Sequence, residues 1–214
     1  MSTFGQKRTF DSPNRGLKMP SLPTRSSQLI GDVITLGPAP LLKSLGFRKK
    51  GHHFFRASKD ATCHVRFQSS QWNSPDRSSF TLNLWTYLPA LAIANGEVII
   101  VEPAKQIFAH CGTRIGHLLP QQEDYWWQIS DPSEVPQIAD EVRSAVEKYA
   151  IPYLEKAVTL QGISELSGYF PGVGCFPTRS KANALRLLGR EQEAVAVEHA
   201  LEVQKKAGAS GLGR

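Results

Sequence analysis

Two segments in the first half of the chain alternate apolar and polar residues, which is the pattern of half-buried β-strands. They span residues 61–70 and 80–87 and are separated by a polar loop. The apolar positions share one face of each strand: Cys63, Val65 and Phe67 in the first, and Phe80, Leu82 and Leu84 in the second. Residues 97–101 are either a further apolar strand or a short buried segment, and a strand at 51–58, turned at Lys59 and Asp60, extends the pattern. It predicts an antiparallel meander of three to five strands with one apolar face covered by helices.

Signals typical of a helix follow the predicted strands. Asp131, Pro132 and Glu134 have the residue types preferred at the N-cap, N1 and N3 positions of a helix. Behind them, apolar residues recur at helical spacing as far as Tyr149. We expect Pro152 to kink or restart this helix, because proline supplies no backbone N–H.

The last part of the chain predicts two helices within residues 179–206, joined by a turn at Gly189. This turn resembles the one inside a tetratricopeptide unit, but a repeat array needs stacking neighbours and only one such unit is visible. The predicted fold class is α+β: an antiparallel β-meander of three to five strands packed by helices, with a C-terminal helical hairpin. The predicted organisation is a disordered basic arm at 1–26, an α+β domain at 27–160, a helical hairpin extension at 161–206 with a linker at 168–177, and a flexible tail at 207–214.

Charge is concentrated near the N-terminus. The 214 residues carry a formal net charge of +6, and residues 1–26 hold five Lys or Arg against a single Asp. Such an arm attracts polyanions without sequence preference, so weak nucleic-acid binding through it is one hypothesis. The three cysteines form no disulfide framework, which favours a reducing cytoplasm. Neither a secretory signal nor a membrane-spanning segment is predicted.

Several ordered motifs resemble a known family. They are LLKSLGFRKKG at 41–51, FFR at 54–56, Val65, FQSS at 67–70, WNS at 72–74, FTLNL at 80–84, RIG at 114–116, LLP at 118–120, Asp124 and WW at 126–127. At this spacing the chain resembles, over about residues 38–150, a bacterial family catalogued as domain of unknown function 4304. The resemblance implies a bacterial α+β domain and no activity, because the family has no established one. Trp85 departs from the small residue, such as glycine, that the family leads us to expect.

Motifs for catalysis or metal binding are weak. Cys63-His64 and His110-Cys111, with His52 and His53 close in sequence to the first pair, are the most metal-like features. They lack the spacing of known zinc motifs, and buried cysteines often serve as small apolar residues. No nucleophile motif or phosphate-binding loop is present in the sequence. We therefore predict no metal and no cofactor, and we expect binding rather than catalysis.

The outward face of the meander is unusually rich in aromatic and amide side chains, which suit contacts with a partner. The candidate site residues are His64, Arg66, Gln68, Asn83, Trp85, Tyr87 and Arg114. Either this face is open and binds a partner, or the C-terminal helices or the Trp126-Trp127 segment cover it and make it a second core.

The leading hypothesis is a non-catalytic cytoplasmic module that binds a protein or peptide partner. One alternative is a nucleic-acid-associated protein that uses residues 1–26. Another is an enzyme of unrecognised type built around His64, Gln68, Asn83 and Arg114. The ligand and the oligomeric state are left open.

Overall fold

The computed structural model describes residues 24–74, 76–106, 109–166 and 177–211. Its central element is a six-stranded antiparallel sheet. Five strands follow one another in chain order, and the sixth pairs with the beginning of β4 on the same side as β5. The strands are β1 Arg48–Lys50, β2 His53–Ala57, β3 Thr62–Ser69, β4 Ser78–Tyr87, β5 Cys111–Arg114 and β6 Trp127–Ile129. The predicted α+β class and the antiparallel meander are confirmed, and β5 and β6 were not individually predicted.

The helices lie before, between and after the strands. They are α1 Arg25–Leu36, α2 Pro38–Ser44, α3 Pro89–Asn95, α4 Val135–Ala145, α5 Ile151–Ala157, α6 Leu160–Glu165, α7 Pro177–Leu187 and α8 Glu191–Gly211. None of the helices in the described ranges is long and apolar enough to cross a bilayer. Residues 1–23 of the predicted arm and residues 167–176, with most of the predicted linker, lie outside the described part. Thr24 caps α1, and α8 runs into the segment predicted as a tail.

The main core lies between the first face of the sheet and α1, α2 and α4. The predicted apolar residues of β3 and β4 face these helices and are almost completely buried, as are Ile30, Val33 and Leu42 from α1 and α2. Removing an aliphatic or aromatic side chain of this size from water contributes about 1.5–3 kcal/mol. Gly37, between α1 and α2, lets α4 approach closely, because a Cβ at this position would meet the backbone of Ala139 in α4.

The predicted helix start before α4 is confirmed as a capping box. Oδ1 of Asp131 accepts a hydrogen bond from the backbone N–H of Ser133 at 2.8 Å. Oε2 of Glu134 accepts in return from the backbone N–H groups of Ser130 and Asp131. Pro152 also acts as predicted, because a widened π-helical turn at Val146–Ala150 separates α4 from α5 just ahead of the proline.

We expect Asp131→Ala to lower the melting temperature by about 2–4 °C, because the first turn loses a side-chain acceptor. Asp131→Asn is the matched control, since asparagine caps a helix as well as aspartate does. A melting curve for each variant tests this. If both variants melt at the wild-type temperature, the cap contributes nothing to stability.

The predicted C-terminal hairpin is confirmed within residues 177–211. Gly189 makes the turn between α7 and α8 with φ of +75°, and Arg186 forms a two-pronged ion pair with Glu198 across the hairpin. Asn183 attaches α7 to the domain by donating to Oδ1 of Asn95, at the end of α3, at 2.7 Å. Ser180 also contacts the Asn95 side chain. The hairpin is thus docked on the domain through buried polar groups.

The strand predicted at residues 97–101 is wrong. This segment joins no strand of the sheet, and the side chains of Val98 and Val101 are exposed. The backbone N–H of Ile100 donates to the Tyr87 hydroxyl at 2.9 Å, and its carbonyl accepts from Nε2 of Gln106 at 2.7 Å. Side chains therefore satisfy the backbone groups that a strand would pair with a neighbouring strand.

Candidate functional site

All seven predicted site residues lie on the second face of the sheet, opposite the main core. The register places His53, Arg66, Asn83 and Arg114 side by side on β2, β3, β4 and β5. The next row along the strands contains Phe55, His64 and Trp85 in the same way. Because directly opposed residues of antiparallel strands point to the same face, each row is a continuous strip of side chains.

A strap formed by residues 97–106 crosses half of this face. Nε1 of Trp85 donates to the backbone oxygen of Gln106 at 2.9 Å. The side-chain oxygen of the same glutamine lies 3.3 Å from Nε2 of His64. With the Tyr87 contact to Ile100, these bonds fix the strap to the sheet.

The strap buries His64, Trp85 and Tyr87, so these three predicted site residues offer almost no surface to a partner. Trp85 is 8% exposed, and the other two are less exposed still. Of the two alternatives that the sequence left, an open face or a covered one, this half of the face is covered. Of the two expected covers, Trp126 lies over the other end, with the Arg114 guanidinium 5.4 Å from its ring centre. The element that covers Trp85 is the strap, which the sequence had suggested as a strand.

The uncovered half of the face forms a cleft of about 680 Å³ beside the strap. Half of its lining residues are basic or amide-bearing, and no Asp or Glu of the described residues belongs to it: Lys50, Gly51, His52, His53, Arg66, Phe67, Gln68, Ser69, Trp85 and Ala104. Arg66 is exposed and forms no ion pair within the described ranges. Nζ of Lys50 lies 4.0 Å from the Glu102 carboxylate, which forms a closer ion pair, of 2.7 Å, with Nζ of Lys105.

Two histidines form a directed chain of hydrogen bonds at the edge of the cleft. Nε2 of His53 lies 3.0 Å from Nδ1 of His64, whose Nε2 faces the Gln106 side-chain oxygen. Gln106 uses its amide nitrogen on the carbonyl of Ile100, so its oxygen must be the acceptor. This network assigns the proton of His64 to Nε2, which leaves Nδ1 to accept from His53. The His64 and Trp85 rings stack with centres 4.7 Å apart.

Both members of this pair are neutral at pH 7. Burial and, after it, the neighbouring His53 lower the pKa of His64 to about 3, although the hydrogen bond with Gln106 acts in the opposite direction. Burial also lowers the pKa of His53 to about 4, and the charges of Arg66 and Lys50 act in the same direction. The pKa of His52 is lowered by burial and then by Lys49. The cationic side chains around the cleft thus disfavour a further positive charge there.

At the other end of the row, Nδ2 of Asn83 donates to Oε1 of Gln68 at 2.7 Å, and Arg114 pairs with Asp124 at 2.8 Å. Oδ1 of Asn83 and Nε of Arg114 are buried and have no hydrogen-bond partner among the described residues. An unpaired buried polar atom costs about 1–3 kcal/mol. This end of the row therefore retains one acceptor and one donor that the fold does not use.

The sequence motifs considered for metal binding do not come together. In the described ranges, no three His, Cys, Asp or Glu side chains are close enough to hold an ion. His64 and Cys63 lie on opposite faces of β3. His110 is buried, with Nδ1 accepting from the backbone N–H of Leu88 and Nε2 3.0 Å from the Glu97 carboxylate. Both nitrogens of His64 are engaged as well, so the predicted catalytic cluster lacks a free imidazole base at this residue.

Sequence reasoning did not include Lys50 and Gln106 in the site, and it considered His52 and His53 only as metal-like residues. The turn at Lys59 and Asp60 was a usable signal, because residues equidistant from it pair in the hairpin, which places His53 opposite Arg66. No pattern in the sequence indicates Gln106, which reaches His64 across 42 positions in an irregular segment.

Comparison with curated proteins and with solved structures finds no match. The chain does match a family described as a domain of unknown function, DUF4304, over residues 38–156, from α2 into α5. The matched region is more than half of the chain and includes all six strands, the strap and the cleft, whereas the C-terminal hairpin lies outside it. The resemblance carried by the sequence motifs is thereby confirmed, and the chain belongs to the DUF4304 family.

Proposed function

We propose that this protein is a non-catalytic binding module whose cleft takes an acidic segment of a partner protein. The observation that carries the proposal is the lining of the cleft, where Lys50, His52, His53 and Arg66 meet and no carboxylate is present among the described lining residues. A charged donor that lacks a protein acceptor forms stronger hydrogen bonds with a carboxylate than with a neutral group. Arg66 is the main anchor, because its guanidinium is exposed and has no ion-pair partner in the described chain.

The size of the cleft favours a peptide segment over an isolated small anion. Its volume of about 680 Å³ is in the middle of the range for sites that enclose a sizeable ligand.

The proposed compartment is a bacterial cytoplasm, since Cys63 and Cys111 are both buried free thiols. The nucleic-acid hypothesis depends on the basic arm, most of which lies outside the described residues, and it stays a prediction. The enzyme hypothesis is less favoured, because His64 lies beneath the strap with both ring nitrogens in use.

A labelled hexaglutamate peptide should bind the wild-type protein at low ionic strength, and Arg66→Gln should weaken this binding by at least about tenfold. Fluorescence anisotropy gives both dissociation constants. Arg143→Gln is the matched control, because it removes the same charge from an exposed position on α4, on the opposite side of the sheet. Hexaglutamine tests whether the negative charge is needed. Equal binding by the two arginine variants, or equal binding of hexaglutamine, would reject the proposal.

A further inference from the structure

The two histidines at the edge of the cleft differ in their capacity to take up a proton. Both ring nitrogens of His64 are engaged, Nδ1 by the N–H of His53 and Nε2 by Gln106. A proton added at Nδ1 would place two donors against each other and break the chain of hydrogen bonds. His64 is also completely buried, where a charge is most costly. It is therefore locked in its neutral form.

His53 has the opposite properties. It donates from Nε2, and its Nδ1 has no hydrogen-bond partner among the described residues. Protonation at Nδ1 leaves the Nε2 donor and the whole chain through Gln106 intact. The ring is half-buried and lines the cleft, so a new N–H can meet a ligand there. Of the pair, only His53 can gain a proton without loss of an existing bond.

Burial, and after it the charges around His53, explain why this residue stays neutral in the free protein. Lys50 on β1, and Arg66 and the neutral His64 on β3, face it, and Trp85 on β4 stacks against it with ring centres 5.2 Å apart. From the strap, the nearest charges are Glu102 and Lys105, which pair with each other. The neighbourhood is therefore net cationic. An anion in the cleft would reverse this balance, because it places a negative charge among Lys50, Arg66 and His53.

We infer that the cleft takes up one proton together with its acidic ligand, and that His53 is the residue that receives it. The protonated imidazole then donates its Nδ1–H to a ligand carboxylate while its Nε2–H stays on His64. This inference rests on the proposed function and adds a ligand-contacting residue and a coupling to pH. By linkage, a ligand that favours protonation of His53 must bind more tightly where protons are more abundant.

The size of the coupling follows from the shift that a carboxylate causes. The pKa of His53 in the free protein is about 4. A nearby opposite charge raises the pKa of such a group by about 1–3 units, and a rise in the middle of this range is expected in the complex. Affinity should then be about fourfold higher at pH 5.5 than at pH 7.5, and about 0.7 proton should be taken up per ligand at pH 5.5.

A peptide of six cysteic acid residues is a suitable probe, because its sulfonates stay ionised throughout this pH range. Titration calorimetry of the wild-type protein at pH 5.5, in two buffers with different ionisation enthalpies, measures proton uptake without any variant. In His53→Gln, the side-chain amide can still donate toward His64 but cannot titrate. His53→Gln should bind the probe with nearly equal affinity at pH 5.5 and pH 7.5, whereas the wild-type protein should bind it about fourfold more tightly at pH 5.5. His199→Gln, at an exposed position on α8, should keep the wild-type ratio.

The outcomes separate this inference from the proposed function. If Arg66→Gln and Arg143→Gln bind the probe equally well, the proposed function fails and the inference fails with it. If binding depends on Arg66 but takes up no proton, or if His53→Gln keeps the wild-type pH ratio, the inference is overturned and the binding module stands. Proton uptake that is lost in His53→Gln and retained in His199→Gln supports both.

Discussion

Trp85→Ala should lower the free energy of unfolding by about 3–5 kcal/mol, the usual cost of removing a large buried aromatic side chain. The indole is 8% exposed, stacks on His64 and donates to the backbone oxygen of Gln106. The substitution therefore leaves a cavity under the strap and removes one of the bonds that attach it. Urea unfolding, followed by circular dichroism, measures the difference.

Trp72→Ala is the control for this substitution, because Trp72 is 83% exposed in the loop between β3 and β4. Trp72→Ala should change the free energy of unfolding by no more than about 0.5 kcal/mol. A loss of less than about 1 kcal/mol in Trp85→Ala would contradict the structure, since it would mean that Trp85 is open to solvent and the strap does not rest on it.

Lowering the pH from 7 to 5 should destabilise the protein, and His64 alone should account for roughly 2 kcal/mol of this loss. In the folded chain its pKa is about 3, whereas an unfolded chain has the ordinary value of 6.5. Below pH 6.5 the unfolded state therefore binds a proton that the folded state does not, and stability falls with pH until about pH 3. The pKa values of His52, His53 and His110 are lowered as well, chiefly by burial, and add in the same direction.

The measurement is the difference between the unfolding free energies at pH 7 and pH 5, because this difference is insensitive to packing lost by the substitution itself. In His64→Gln it should be smaller than in the wild type by roughly 2 kcal/mol. His199→Gln, at an exposed site, should match the wild type. If His64→Gln retains the full pH dependence, His64 is protonated in the folded protein and the hydrogen-bond chain is misassigned.

Local patterns suffice to predict β3, β4 and the start of α4. Alternation assigns Val65 and Leu84 to the core face and Gln68 and Asn83 to the other, and residue type alone identifies the cap at Asp131. Six of the seven candidate residues could be assigned to one face for the same reason, whereas Arg114 could not, because β5 was not predicted. Their exposure could not, because it depends on what lies above the sheet.

The strap is the reason that the exposure of these residues could not be predicted. Its apolar run at residues 98–101 has the composition of a strand, and no local signal shows that its backbone bonds to Tyr87 and Gln106 instead. These contacts join residues 13 and 6 positions apart in irregular structure and have no periodicity. The cleft at the strap's edge is consequently a product of tertiary structure, and the basic character of its lining becomes visible only when β1, β2 and β3 are placed together.

The way the strap is attached has an evolutionary consequence. Its hydrogen bonds to Trp85 and Tyr87 use backbone groups of Gln106 and Ile100, while the side chains of Val98 and Val101 point into solvent. Substitutions at these two exposed positions leave those bonds intact. In descendants of this protein, point mutations can therefore change the outer surface of the strap without loss of the hydrogen bonds that attach it to the sheet. The rate of sequence change should be much lower at position 106 than at position 98 or 101, because the Gln106 side chain also bonds to His64 and to the carbonyl of Ile100.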